Sequence, residues 1–186
     1  DVDRNSRFPA EALAVLKEGR LLSLMVPVDL GGEGASTAEV ADVCSILGQA
    51  CASTAMIFAM HQIKTSSLIT HGDGSAWHRG FMREIADKQL LLASATTEGG
   101  VGGDMRSSIC AIENDDDSGF FRLSKEANVI SYGTKADAIL ITARRHAEAP
   151  SSDQLMAVIQ KHQYVLEPTI AWDTLGMRGT CSEGFR

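Results

Sequence analysis

Leu90-Leu91-Leu92-Ala93-Ser94-Ala95-Thr96-Thr97-Glu98-Gly99-Gly100-Val101-Gly102-Gly103-Asp104 is the stretch on which the reading of this chain turns. Before it, apolar residues recur at helical spacing; from Leu90 they run on without a break and then stop in glycine. A short apolar run bounded by glycine predicts a strand feeding a loop. Such a loop exposes several backbone N–H groups together, and Thr97 adds a hydroxyl and Asp104 a carboxylate. Glycine lets the backbone come close to a flat polar heterocycle or a phosphate. A plain glycine turn between two strands accounts for the same residues.

Toward the N-terminus the period is helical. Phe8-Pro9-Ala10-Glu11 predicts a helix with proline in its first turn, and Leu13, Leu16 and Arg20 follow at helical spacing. Met25-Val26-Pro27 ends regular structure, and Gly31-Gly32-Glu33-Gly34 makes a turn. Ser36-Thr37-Ala38-Glu39 has the spacing of a capping box, with Val40, Val43 and Leu47 as the stripe behind it. A third helix is expected from about Ser53 to His71-Gly72, and a fourth from Ser75 to Asp87 that buries Trp77, Phe81 and Ile85. The third carries Met56, Ile57, Phe58, Met60 and Ile63, apolar over much of its circumference, which predicts burial on more than one side.

Toward the C-terminus short strands are expected at 108–113, 120–124, 138–143, 155–160 and 164–167, separated by turn residues. That spacing predicts an antiparallel β-barrel or sandwich. Helices first and strands later make the fold class α+β, with an all-α helical domain over 1–89 and a β domain over 90–186. The chain opens at Asp1 and stops at Phe185-Arg186 without a closing turn signal, so both ends are expected to be cut.

The 186 residues are 44% hydrophobic and 22% charged, ordinary for a globular protein, with a net charge of −7 and a pI near 5.2. That balance argues against nucleic acid and anionic membrane surfaces as partners, since both need a field of Lys and Arg. No apolar run is long enough to span a bilayer. Cys44, Cys51, Cys110 and Cys181 form no CxxC pair, which predicts free thiols in a cytoplasmic protein.

Other sites fail on spacing. Gly32-Glu33-Gly34-Ala35-Ser36-Thr37 has Thr37 where a dinucleotide fingerprint requires its third glycine. Asn114-Asp115-Asp116-Asp117-Ser118-Gly119 hints at a calcium loop, but its twelfth position is Lys125, so a solvated hairpin turn is expected there. His61, His71, His78, His146 and His162 show no metal-ligand spacing, and His61 is expected to be a satisfied structural histidine. Arg106, Arg178 and Arg186 are the cations that could meet a phosphate, with solvated surface as the default reading of each.

Four segments, in order and register, resemble the acyl-CoA dehydrogenase family. Thr97, Glu98, Gly102 and Asp104 match its T-E-P-x-A-G-S-D flavin loop. Residues 26–34 are similar to I-P-E-x-x-G-G-x-G, Ile130-Ser131-Tyr132-Gly133 with Ala136-Asp137 to W-I-T-N-G…A-D, and Leu175-Gly176-Met177-Arg178-Gly179-Thr180 to L-G-x-R-x-(S/T). Gly99 departs from the pattern's proline, Gly103 from its serine and Val129 from its tryptophan, while Ser131 keeps a hydroxyl where threonine is usual.

The resemblance implies FAD as cofactor, held by Ala95, Thr96, Thr97, Gly102, Gly103, Val129, Ile130 and Ser131, with Gly103 also beside the substrate. It implies an oxidoreductase that dehydrogenates an acyl-CoA thioester across its α and β carbons. A flavin monooxygenase of the same architecture and a non-enzymatic interaction module are the alternatives. The resemblance implies a catalytic base supplied by a C-terminal helical bundle, or by a nearby helix in some branches, beyond these residues, with the oligomer contacts in that bundle. No glutamate here is therefore assigned as base, the lone chain is expected to be inactive, and the whole protein is expected to be a homo-oligomer.

Overall fold

The computed structural model describes residues 1–72, 74–115 and 119–186. Among the described residues four α-helices come first: α1 (Ala10–Glu18), α2 (Thr37–Ala50), α3 (Ala52–Gly72) and α4 (Ala76–Lys88). Eight short strands follow among the described residues: β1 (Leu92–Ala95), β2 (Glu113–Asp115), β3 (Phe120–Arg122), β4 (Ala127–Ile130), β5 (Ala138–Arg144), β6 (Gln154–Gln160), β7 (Pro168–Ile170) and β8 (Glu183–Phe185). The order of helices then strands is the expected α+β arrangement.

Local chemistry sets the helix ends. The α2 cap is a full capping box: Ser36 Oγ accepts from Glu39 N, and a Glu39 carboxylate oxygen accepts from Ser36 N at 2.8 Å. Arg20, expected on α1, lies beyond it in the left-handed region, because the helix ends at Glu18 before Gly19. Ser75 caps α4 by accepting from His78 N. Trp77, expected inside, is half exposed and stacks on Phe81 with ring centroids 5.3 Å apart. Along α3, Ile57 and Phe58 are fully buried while Met56 and Ile63 stay exposed, so residues 1–186 cover one side of that helix.

The strands form three groups, ordered β1-β5-β6, β2-β3 and β4-β8-β7. All pairs are antiparallel except β1 with β5, which run parallel with Leu92 opposite Ala138. That parallel pair needs a long crossover, which residues 96–137 supply. The segment 164–167 is not a strand; pairing begins one residue later, at Pro168 on the sheet edge, where a missing N–H is tolerated. The strands β4 and β8 had no sequence signal, being four and three residues long. The expected hairpin turn after Asn114 falls at 116–118, outside the described residues.

Apolar packing joins the helical and strand-rich halves. Leu13, Leu16, Leu22, Ile57 and Phe58 pack with Leu91, Ala93, Ile130, Tyr132 and Phe185. His61 pins the seam: Nε2–H donates to Leu22 O at 2.6 Å, and Nδ1 accepts from Leu92 N at 3.0 Å. Those two partners assign the tautomer, because one is acceptor only and the other donor only. Asp137 holds the same edge of β1 by accepting from Leu91 N at 2.8 Å.

Candidate functional site

The glycine loop leaves the end of β1 and is closed at its base by Glu98. This buried carboxylate accepts from Ile109 N at 3.0 Å and Cys110 N at 2.6 Å, and Lys125 Nζ lies 3.5 Å away. Lys125 is buried too, and donates to Thr142 O at 2.7 Å. Burial pushes the Glu98 carboxyl up. The two N–H donors and the Lys125 charge outweigh that and hold it below the usual range. Glu98 thus staples residue 98 to 109–110 and sets the loop out from the body. At its far end Asp104 accepts from Arg106 N at 3.0 Å and from Ser107 Oγ at 2.8 Å, making a second turn.

Within the loop Gly100 and Gly102 have φ of +91° and +60°, a region in which side chains are strained. Among the described residues, none accepts from the backbone N–H of Gly100, Val101, Gly102 or Gly103. A Cβ added at Gly102 or Gly103 would meet nothing within 4 Å, so both are open to approach. Four consecutive unpaired donors on an exposed loop suit an anion or the edge of a polar ring.

The second segment meets the first at Thr97, whose Oγ1 donates to Val129 O at 3.0 Å. This places Thr97, Val129 and Ser131 in one neighbourhood. No direct contact ties Gly102 or Gly103 to Ser131 among the described residues. Ala95 and Ile130 are buried, and their side chains line a cleft of about 1130 Å³ with Ala127, Ile139, Ile141 and Phe185. Their backbones, with that of Thr96, are what they could offer at the Thr97–Val129 edge. Val129 itself is half-buried.

Ser131 is buried, and its hydroxyl lies 2.7 Å from Ser182 Oγ. Ser182 Oγ is in turn 2.7 Å from Thr180 Oγ1, which donates to Met177 O at 2.8 Å. Beside it, Tyr132 N donates to Thr180 O at 2.8 Å and Tyr132 OH to Leu92 O at 3.0 Å. Three of the four motif segments therefore converge at one end of the strand-rich half.

The three candidate arginines are engaged with carboxylates. Arg178 Nη1 bonds Asp173 at 2.5 Å, Arg186 pairs with Glu167, and exposed Arg106 sits 3.4 Å from Asp104. Sequence reasoning missed the Glu98 staple, the Ser182 and Thr180 hydroxyls and the Tyr132 bond. For Glu98, a carboxylate between a strand and a glycine loop was the available signal. Nothing local marks the others, since their partners lie 40 or more residues away or beyond a turn.

A profile of the acyl-CoA dehydrogenase N-terminal domain matches residues 1–75. The cyclohex-1-ene-1-carbonyl-CoA dehydrogenase of Syntrophus aciditrophicus is 32% identical over 105 residues, 56% of this chain and 25% of that protein. The L-evernosamine nitrososynthase of a Micromonospora species is 28% identical over 185 residues, 97% of this chain and 42% of that protein. The crystal structure of an acyl-CoA dehydrogenase from Geobacillus kaustophilus superimposes with a TM-score of 0.79 at 16% identity, covering 98% of this chain and 48% of that one. The chain spans less than half the length of each.

Proposed function

We propose, from the premise that this chain belongs to the acyl-CoA dehydrogenase family, that it is the flavin-holding part of an FAD-dependent oxidoreductase acting on an acyl-CoA thioester. The supporting observation is the Thr97 Oγ1 to Val129 O bond, which joins the two motif segments at one edge. The donor set beside it fits the cofactor. Unpaired N–H groups of residues 100–103 suit its phosphates or ring oxygens, and the apolar Val129 suits a ring face.

Residues 1–89 would then be a helical domain and 90–186 the cofactor-bearing β domain. Ala95, Thr96, Thr97, Gly102, Gly103, Val129, Ile130 and Ser131 form the cofactor set, with Gly103 at the substrate side. A bound flavin supplies a hydride acceptor. This chain's own residues bind and orient: Glu98 fixes the loop base, Thr97 ties the loop to residue 129, and the loop amides donate. The α-proton base lies outside residues 1–186.

A second reading, a flavin monooxygenase, is kept by the nitrososynthase, which aligns along 97% of this chain at 28% identity, the same share as a dehydrogenase at 26%. In the whole protein, anaerobic bleaching of the flavin by an acyl-CoA supports dehydrogenation, whereas oxygen uptake with reduced flavin supports the monooxygenase.

The present chain tests the cofactor directly. Titration with FAD, followed by flavin fluorescence, should saturate, and Thr97→Val should weaken binding by about 3- to 10-fold, the value of one hydrogen bond. Absence of saturable binding would overturn the proposal. With acyl-CoA and an electron-accepting dye the chain should show no turnover, and steady dye reduction would place the base within these residues.

A further inference from the structure

Three residues other than glycine hold the left-handed backbone conformation in one neighbourhood: Tyr132 (φ +44°), Met177 (φ +59°) and Cys181 (φ +45°). They meet through a forked bond, in which Tyr132 N donates to Thr180 O at 2.8 Å and to Cys181 O at 3.2 Å. A side chain strains this conformation, which persists only where the surroundings over-determine it. The turn 177–181 therefore needs support from outside itself.

That support comes from the first eight residues. Asp3 Oδ1 accepts from Arg178 N at 2.9 Å, and Asp3 O accepts from Arg178 Nε at 3.1 Å. At buried Gly179 an added Cβ would stand 2.3 Å from Val2 Cγ1, 3.0 Å from Ser53 Cβ and 3.1 Å from Arg7 O. The arm is closed on itself, because Arg7 N donates to Val2 O at 3.1 Å. The Arg7 guanidinium ties it down, donating to Asp1 at 2.9 Å and to Glu11 on α1 at 2.8 Å. Residues 1–8 thus reach from the helical half and grip the turn between themselves and the start of α3.

The turn passes the restraint on. Tyr132 is buried, its hydroxyl donates to Leu92 O at 3.0 Å, and it directly follows Ile130 and Ser131. We propose that residues 1–8 are a strap over the 177–181 turn that fixes Tyr132 and the cofactor edge next to it. Asp3 and Arg178 are then positioning residues, which act on the cofactor through the turn. The inference rests on the flavin reading above.

The experiment follows the turn and the cofactor separately. Asp3→Ala removes the acceptor from Arg178 N, and Gly179→Ala pushes a methyl group against Val2 and Arg7 O. The Tyr132 amide resonance, by NMR, reads the turn, and a flavin fluorescence titration with FAD reads the cofactor. Asp3→Ala should move the Tyr132 resonance, and both variants should weaken FAD binding by about 3- to 10-fold, the value of one hydrogen bond. Asp3→Asn keeps an oxygen for Arg178 N and should restore both readouts. Ser36→Ala removes the α2 cap, a bond to Glu39 outside this network, and should move neither. That control separates positioning from a general loss of stability, and Asp3→Ala decides alone if Gly179→Ala does not fold. An unmoved Tyr132 resonance in Asp3→Ala overturns the strap. A moved resonance with unchanged FAD affinity overturns the positioning role and leaves the flavin reading standing. Failure of the unsubstituted chain to bind FAD overturns the flavin reading, while the Tyr132 resonance still decides the strap.

Discussion

His61 is neutral in the folded protein, and acid should therefore act on it first. The ring is fully buried between α3, the Leu22 carbonyl and the start of β1, and burial depresses its pKa from an ordinary 6.5 to about 4. The unfolded chain accordingly binds this proton more readily than the folded one. Stability is complete above the unfolded value and is lost as pH falls from about 6.5 toward 4, with no further loss below. A shift of that size corresponds to about 3 kcal/mol, of which roughly 2 to 2.5 should be gone by about pH 4.5. Other carboxylates also titrate there, so the measurement is a difference. Urea unfolding by circular dichroism is run from about pH 7 to pH 4.5 on the protein and on His61→Asn, whose amide oxygen can still accept from Leu92 N but cannot charge. At neutral pH the variant should be less stable by about 1 to 3 kcal/mol, for the lost bond to Leu22 O. At the acid end that gap should close or invert. Parallel pH profiles for the two proteins would refute the assignment of His61 as the buried neutral group.

Two further outcomes follow from single contacts. Glu98→Ala leaves Lys125 buried and unpaired and orphans two N–H groups, so it should cost about 3 to 5 kcal/mol in urea unfolding and raise amide exchange across residues 99–110; a loss under about 1 kcal/mol would mean the staple is not formed in solution. At Gly32 a Cβ would sit 2.1 Å from Val26 O and 2.6 Å from Ser23 O, both backbone atoms that cannot swing aside, so Gly32→Ala should destabilise by at least about 2 kcal/mol; an unchanged thermal midpoint would refute the close approach.

Much of the helical half was legible because its signals are local. Ser36 and Glu39 lie three residues apart and satisfy each other wherever the chain folds, so the cap was readable as a pattern. The fate of Trp77 was not, because a helical stripe says which face is apolar but not whether a neighbour arrives to cover it. The thiols follow the same division: all four cysteines are free, as their spacing suggested, yet only Cys110 is buried, and that burial raises its pKa to about 11.

The sequence by itself determined the change of period at Leu90, the glycine loop after it and the order of helices before strands. These depend on side-chain periodicity and on the φ freedom of glycine, both carried within a few residues. Tertiary structure alone decided that β1 runs parallel to β5, that strands of three and four residues hold at β8 and β4, that Glu98 closes the loop it precedes, and that Ser131 turns inward to Ser182. Each of those needs a partner between 11 and 58 residues away.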